Sequence, residues 1–316
     1  MVHPEVDATA DDIAEMEIRG AATIADAAAA ALATQARESD ADTPAAFRTE
    51  MQEAARRLHD TRPTAVSLPN ALRYVLQGME GATVERLRET TVARAEQFRA
   101  DLEQAQSKLG RVGAGRIRDG DVVMTHCHST DAMACIEAAV DQGKHVEALV
   151  KETRPRNQGH ITARQLRELD VPVTLVVDNA AHRYLNEVDH VLVGADSIAA
   201  DGSVVNKIGT AGLAVSARDR GTPIMVAAQT LKLHPATLTG QAVEIEQRDE
   251  SEVIDPETRA DVGDIEVRNP AFDVTPPRHV DAIVTERGQF PPESIVTLMR
   301  ELYGESVEHP WESGPA

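Results

Sequence analysis

Aromatic residues make up only 3% of this 316-residue chain, lysine occurs five times and cysteine twice. Each scarcity excludes something. Cys127 and Cys135, eight positions apart, cannot staple a disulfide scaffold, which fits a reducing compartment and a cytoplasmic protein. No apolar run approaches the ~18 residues of a bilayer-spanning helix. The acidic start MVHPEVDATADDIAEME lacks the basic-then-apolar pattern of a secretion signal. No membrane partner is therefore expected. Positive charge is also short, since 32 Lys and Arg face 52 Asp and Glu for a net charge of −20. Binding a duplex means displacing phosphate counterions with clustered cations, so nucleic acid is disfavoured as a partner. Excess carboxylate with little lysine suits a surface hydrated in concentrated salt, where screening removes self-repulsion; an ordinary acidic cytosolic protein reads the same way.

What is present supports a sizeable core. At 42% hydrophobic residues, and at roughly 150 residues per domain, two domains are expected. Residues 1–115 read as helical: AATIADAAAAALATQA (21–36), ALRYVLQGMEG (71–81) and TVERLRETTVARAEQFRADLEQA space their apolar positions as helices do. Between them TRPTAVSLPN (61–70) reads as extended or turn backbone because of its prolines. The glycines of GRVGAGRIRDGD (110–121) read as a break in helical pattern and mark the boundary. Residues 116–316 then alternate. Strand-like VVMTH (122–126), VEALV (146–150), VTLVV (173–177), HVLVGAD (190–196), PIMVAA (223–228) and DAIVTE (281–286) are separated by helix-like segments. This order predicts an α/β domain with a mostly parallel sheet and helices on both faces. The acidic segment 240–275 has little periodicity and reads as a long excursion or hairpin.

Ligands of open parallel sheets bind beyond the carboxyl ends of the strands, near helix amino termini. The residues there are chemically rich. In THCHST (125–130) Cys127 sits where helix amides can lower a thiol pKa, with Ser129 and Thr130 as cap and anion contacts; a small buried cysteine beside a routine cap is the plain alternative. His126 and His128 flank it on a strand and cannot share one metal with it. Asp196 closes GAD (194–196), and a carboxylate among apolar walls there would have a raised pKa and could exchange protons; it could equally be a turn cap. Asn206 and Lys207 of VVNKIGT read as a helix start suited to a phosphate, or as solvated polar residues. Lys232 in AAQTLKLHP has the same two readings. Arg19 and Gly20 of MEIRGAATIADAAAA, and Arg62 of TRPT, could clamp a phosphate or make structural ion pairs. Arg154 and Arg156 of KETRPRNQG could face a substrate or the acidic segment. No GxGxxG follows a strand, and no Walker A, GxSxG or HExxH pattern occurs.

RGAA, RPT-VSLPN, THC-S, KETRPRNQG, GAD and NKIGT occur in this order over roughly residues 16–236. Together they resemble the sugar-phosphate isomerases related to the regulatory subunits of translation initiation factor 2B, and within them the archaeal ribose-1,5-bisphosphate isomerase group. The resemblance implies an amino-terminal helical domain, a Rossmann-like carboxy-terminal domain and a homo-oligomer, dimer or hexamer. It implies catalytic roles for Cys127 and Asp196. It also implies substrate binding by Arg19, Gly20, Ala21 and Ala22, by Arg62, by Ser129, Thr130 and Asp131, by Asn206 and Lys207, and by Lys232. The implied substrate is a sugar bisphosphate, turned from aldose to ketose in AMP degradation, with AMP as a possible activator and no cofactor or metal required. Two other groups share the pattern: methylthioribose-1-phosphate isomerases, which need an apolar slot for the thioether, and non-catalytic binding subunits. Thiol and carboxylate after separate strands favour an enzyme, and the arginines favour two phosphates.

Overall fold

Helices begin where the sequence supplies caps. The structure, a computed structural model, describes residues 1–18, 20–62, 66–304 and 310–311. In it α1 (Pro4–Ala14) follows His3, whose Nδ1 accepts from the Glu5 amide, and α2 (Ala21–Glu38) follows Gly20 at φ 89°. The Thr43 hydroxyl accepts from the Ala46 amide (3.2 Å) to open α3 (Pro44–His59). The segment 61–70, expected to be extended or turn throughout, is helical from Ser67, where α4 (Ser67–Leu76) starts. Pro69 lies in its first turn, where a missing amide costs nothing. Then α5 (Val84–Ala114) carries the chain onward.

Two compact units result. The first comprises Met1–Ala105, Leu231–Leu233 and the carboxy-terminal residues from Tyr303; the second comprises Gln106–Thr230 and His234–Leu302. The chain thus returns twice to the first unit, which a reading as two consecutive segments does not include. In the first unit the core relies on small residues: Ala10, Ala28, Ala29, Ala54 and Ala55 pack with Leu32, Phe47, Met51 and Leu72, and the sole tryptophan, Trp311, is buried with them. Alanine at these positions lets helices approach closely and offsets the shortage of aromatic bulk.

The second unit runs β1 (Val122–His126), α6 (Thr130–Asp141), β2 (Glu147–Lys151), α7 (Gly159–Glu168), β3 (Val173–Val176), α8 (Ala181–Tyr184), β4 (His190–Val193), β5 (Ser197–Ile198), β6 (Val204–Lys207), α9 (Thr210–Arg220), β7 (Ile224–Ala227), α10 (Pro256–Val262), β8 (Phe272–Thr275), β9 (Ala282–Thr285), β10 (Gly288–Phe290) and α11 (Ile295–Tyr303). Seven strands form the main sheet in the order β10-β9-β7-β4-β1-β2-β3, parallel except for β10. The α/β class with a mostly parallel sheet is as expected. Strand order reverses between β1 and β4, and such a reversal leaves a crevice at the carboxyl ends of the two strands. A second, antiparallel sheet, β5-β6-β8, stands beside it.

Two local readings are corrected. Asn206 and Lys207 end a strand, β6, and do not start a helix: Val204 and Val205 favour extended backbone and register against β8 from Val204↔Thr275 to Lys207↔Phe272. The partner strand is supplied by the 240–275 segment, whose arm closes on itself through hydrogen bonds from Arg248 N–H to Asn269 O (2.9 Å) and from Ala271 N–H to Glu246 O (2.8 Å) before entering β8.

The glycines at 110–113 also do not break the helix, since α5 continues to Ala114. They serve close approach to α6. A Cβ on Gly110 would stand 2.5 Å from the Ala134 carbonyl oxygen, and one on Gly113 would stand 2.2 Å from Cys135 Sγ. Gly113→Ala gains about 1 kcal/mol of helix propensity but forces α5 and α6 apart. A net loss of about 1–2 kcal/mol is expected in urea unfolding. A variant more stable than wild type would show that the helices can separate freely.

Candidate active site

Cys127 leaves β1 in the left-handed region, at φ 70°. That conformation costs a non-glycine residue roughly 1–3 kcal/mol and persists only where neighbours fix it. Here three do. The Cys127 amide donates to Thr153 Oγ1 (2.8 Å), its carbonyl accepts from Thr162 Oγ1 (2.8 Å), and Sγ donates to Gln158 Oε1 (3.5 Å). Thr153 is itself left-handed, at φ 65°, and its amide and that of Arg154 donate to the two Asp178 carboxylate oxygens (3.0 and 2.8 Å). The ends of β1, β2 and β3 are thereby tied in sequence by Cys127, Thr153 and Asp178.

Beneath this turn lies a buried polar layer. His126 is 1% exposed; its Nε2 donates to the Ile208 carbonyl (2.8 Å) and its Nδ1 lies 3.3 Å from Thr153 Oγ1. Burial, with the Lys151 ammonium next in weight, pushes the imidazole down to about 4. Lys151 Nζ donates to the Gly209 carbonyl (3.3 Å), and desolvation holds it below the usual lysine range. Asp273 on β8 accepts from the Gly209 and Ala211 amides (2.7 and 3.1 Å), so the first amides of α9 face a protein carboxylate. His128 turns elsewhere, to Thr162.

The thiol behaves differently from the sequence expectation. Helix amides were expected to lower its pKa, but burial dominates and pushes Cys127 up to about 11, with Asp196 adding to the rise; the His128 amide, Lys207 and Arg248 pull the other way. Asp196 is also corrected in its surroundings. It was expected among apolar walls and is exposed. Its amide donates to Val205 O (2.9 Å), and the extended alternation that follows turns Ala195 and Ser197 inward and Asp196 outward. Cys127 and Asp196 nonetheless follow the adjacent strands β1 and β4, close enough for each charge to act on the other.

Other candidates divide between the units. Ser129 caps α6 by accepting from the Ala132 amide (3.2 Å), which leaves its own proton to donate, and Thr130 begins the helix beside it. Ser129 fits only because position 194 is glycine: a Cβ there would stand 2.2 Å from Ser129 Oγ. Asp131 is fully buried, and its carboxylate accepts from Gln229 Nε2 (2.8 Å) and the Gln229 amide (3.2 Å). Asn206 Nδ2 donates to Thr210 Oγ1 (3.0 Å) and fixes the β6–α9 turn. Lys207 is 6% exposed, and its Nζ lies 4.7 Å from the Phe272 ring centroid. Gly20, Ala21 and Ala22 at the start of α2, half-buried Arg62 and half-buried Lys232 belong to the first unit; Arg19 lies outside the described residues. Sequence reasoning missed Thr153, Gln158 and Arg248. The first two lie in or beside KETRPRNQG, where the arginines drew attention, and Arg248 is a lone cation in the acidic run EIEQRDESE.

The profile of the Initiation factor 2 subunit family matches residues 17–292. A ribose 1,5-bisphosphate isomerase of Haloferax volcanii is 72% identical, over 98% of this chain and 96% of its own. Among solved structures, the translation initiation factor eIF-2B of Pyrococcus horikoshii OT3 aligns with a TM-score of 0.76 at 30% identity, covering 93% of this chain and 99% of that one. The 5-methylthioribose 1-phosphate isomerase of the same organism aligns with a TM-score of 0.74 at 31% identity, covering 95% and 88%.

Protonation of His126 tests the buried layer. The unfolded chain binds this proton near pH 6.5 and the folded chain near 4, so between those values the unfolded state holds more protons and stability falls as the pH drops. Above pH 6.5 nothing is lost. His126→Gln keeps an N–H for the Ile208 carbonyl and cannot titrate. Its loss of unfolding free energy between pH 7 and pH 5 should be smaller than that of wild type by about 2 kcal/mol. Equal losses would mean the ring is not held neutral.

Proposed function

The chain belongs to the Initiation factor 2 subunit family, and within that family we propose that it isomerises ribose 1,5-bisphosphate to ribulose 1,5-bisphosphate in AMP degradation. The observation that carries this reading is the convergence of a thiol, a carboxylate and a buried lysine at the strand-order reversal, in a chain so similar to an isomerase of that substrate. Asp196, protonated, gives its proton to the ring oxygen, and the C1–O4 bond opens. The Cys127 thiolate takes the C2 proton, leaving a C1=C2 enol phosphate. Asp196 then removes the proton from the C2 hydroxyl as the carbonyl forms, and Cys127 returns its proton to C1. Both residues end as they began, so the aldose becomes a ketose with no net change in protons or electrons.

Ser129, the first amides of α6 and Lys207 supply donors for phosphate oxygens beside Cys127. Arg19, Gly20, Ala21, Ala22, Arg62 and Lys232 keep the phosphate- and sugar-binding roles that the family resemblance implies. Assembly into a homo-oligomer, activation by AMP and a cytoplasmic location belong to the same proposal; among the described residues no helix is long and apolar enough to cross a membrane. A methylthioribose enzyme would need an apolar slot next to the thiol, whereas Lys207, Arg154, Arg156 and Arg248 line the cleft there.

Cys127→Ser and Asp196→Asn are each expected to lower turnover of ribose 1,5-bisphosphate by about 10²–10⁴-fold without changing Tm, in an assay coupled to a carboxylase that consumes the product. The active form pairs a protonated Asp196 with a Cys127 thiolate, whose pKa burial holds near 11. Raising the pH gains thiolate only as it loses the acid, so kcat/KM should stay level across the neutral range and fall above about 11. Preference for methylthioribose 1-phosphate in a parallel assay would overturn the substrate. Near-native rates in both variants would overturn the site.

A further inference from the structure

Four cations line one cleft of the second unit. Arg154 and Arg156 come from the loop after β2, Lys207 from β6 and Arg248 from the arm that returns to β8; Gln158 and Glu252 border the cleft with them. In a chain of net charge −20 this is a local reversal of sign. Packed like charges repel, and neighbouring carboxylates offset only part of it. Glu252 is held bidentately by Arg156 (2.9 and 2.5 Å), and Glu246 meets Arg248 Nε at 3.1 Å. Lys207 makes no ion pair among the described residues and rests against Phe272. Desolvation first, and then Arg248, keeps its ammonium below the usual range. An anion in the cleft would relieve this repulsion.

Arg248 is built for that contact. Its backbone is pinned to Asn269, its side chain is only 16% exposed, and its guanidinium lies 5.8 Å from the Phe272 ring centroid. Little rotamer freedom remains to be lost on binding, and the planar fork suits two oxygens of one phosphoryl group. Gln158 borders the cleft and also meets Cys127 Sγ, so a group held there reaches the thiol.

We infer that this cleft is an anion subsite for a phosphomonoester, with Arg248 as the ligand that completes it beside Lys207. The inference rests on the isomerase reading above and gives the acidic arm a role: it delivers the cation that fixes one end of the sugar bisphosphate. Arg248→Met, the conservative Arg248→Lys, and a control on the same arm, Arg268→Met, test it; Arg268 is exposed and paired with Glu266. Arg248→Met should raise KM for ribose 1,5-bisphosphate about 10–100-fold, more than it lowers kcat, and weaken inhibition by inorganic phosphate equally. Arg248→Lys should fall between, and Arg268→Met should match wild type.

A second readout needs no turnover: inorganic phosphate should protect Cys127 from alkylation in wild type and not in Arg248→Met. Protection that depends on Arg248 in a wild type inert toward the bisphosphate would sink the isomerase reading and keep the subsite. An active wild type whose KM and protection survive Arg248→Met unchanged overturns the subsite. Should that variant lose cooperative unfolding, Arg248→Lys decides, and unchanged KM and protection in it overturn the inference.

Discussion

The hydrogen bond from the Cys127 amide to Thr153 Oγ1 holds the site in place. A cysteine at φ 70° is a poor local choice, and it stays there because Thr153 accepts its amide, Thr162 donates to its carbonyl, and Asp178 in turn fixes the Thr153 and Arg154 amides. The thiol is thereby turned off the strand direction and meets Gln158 Oε1 in the loop after β2. Without the turn, the residue after His126 would continue the alternation of β1 and point into one of the two packed faces.

The same turn explains why the thiol is difficult to ionise. Charge is costly in the dry layer it closes, where His126 is pushed to its neutral form and Lys151 is held below its usual range. Cys127 inherits that dryness, which outweighs the pull of Lys207 and Arg248. A base with a high pKa removes a carbon-bound proton more effectively once ionised, and a low-dielectric site strengthens every donor aimed at the developing enolate oxygen. In the proposed isomerisation the arrangement trades thiolate population for thiolate strength.

Much of this was legible beforehand. The strand-helix alternation fixed the sheet, because a parallel sheet buried on both faces must read as separate apolar runs, and the chemistry was found by looking just past each run. Failures came where tertiary packing overrode a local signal. Gly110 and Gly113 looked like helix breakers because their use, close contact with Ala134 and Cys135, lies on another element. Asn206 and Lys207 looked like a helix start because the strand that pairs with them, β8, comes 65 residues later in register (272 − 207) from a segment with no periodicity of its own. Arg156 was legible only as an alternative, and the acidic segment proved to be its partner through Glu252. Arg248 had no local signature, since one arginine among carboxylates reads as surface.

The distribution of lysine joins the composition to the site. None of the five is exposed. Lys144 donates to the Ala114 and Ile117 carbonyls (2.6 and 2.8 Å) at the end of α5, Lys151 donates to the Gly209 carbonyl, and Lys207 is buried beside the thiol. A solvated lysine contributes only a flexible point charge, which arginine or no cation at all can replace on an acidic surface, whereas a buried ammonium bonded to carbonyls cannot be exchanged without orphaning its acceptors. A surface poor in lysine therefore keeps at least Lys144, Lys151 and Lys207 where their geometry is used. In this composition the scarcity itself points to the interior and the cleft, and a rare lysine carries more information about structure and binding than one of the many arginines.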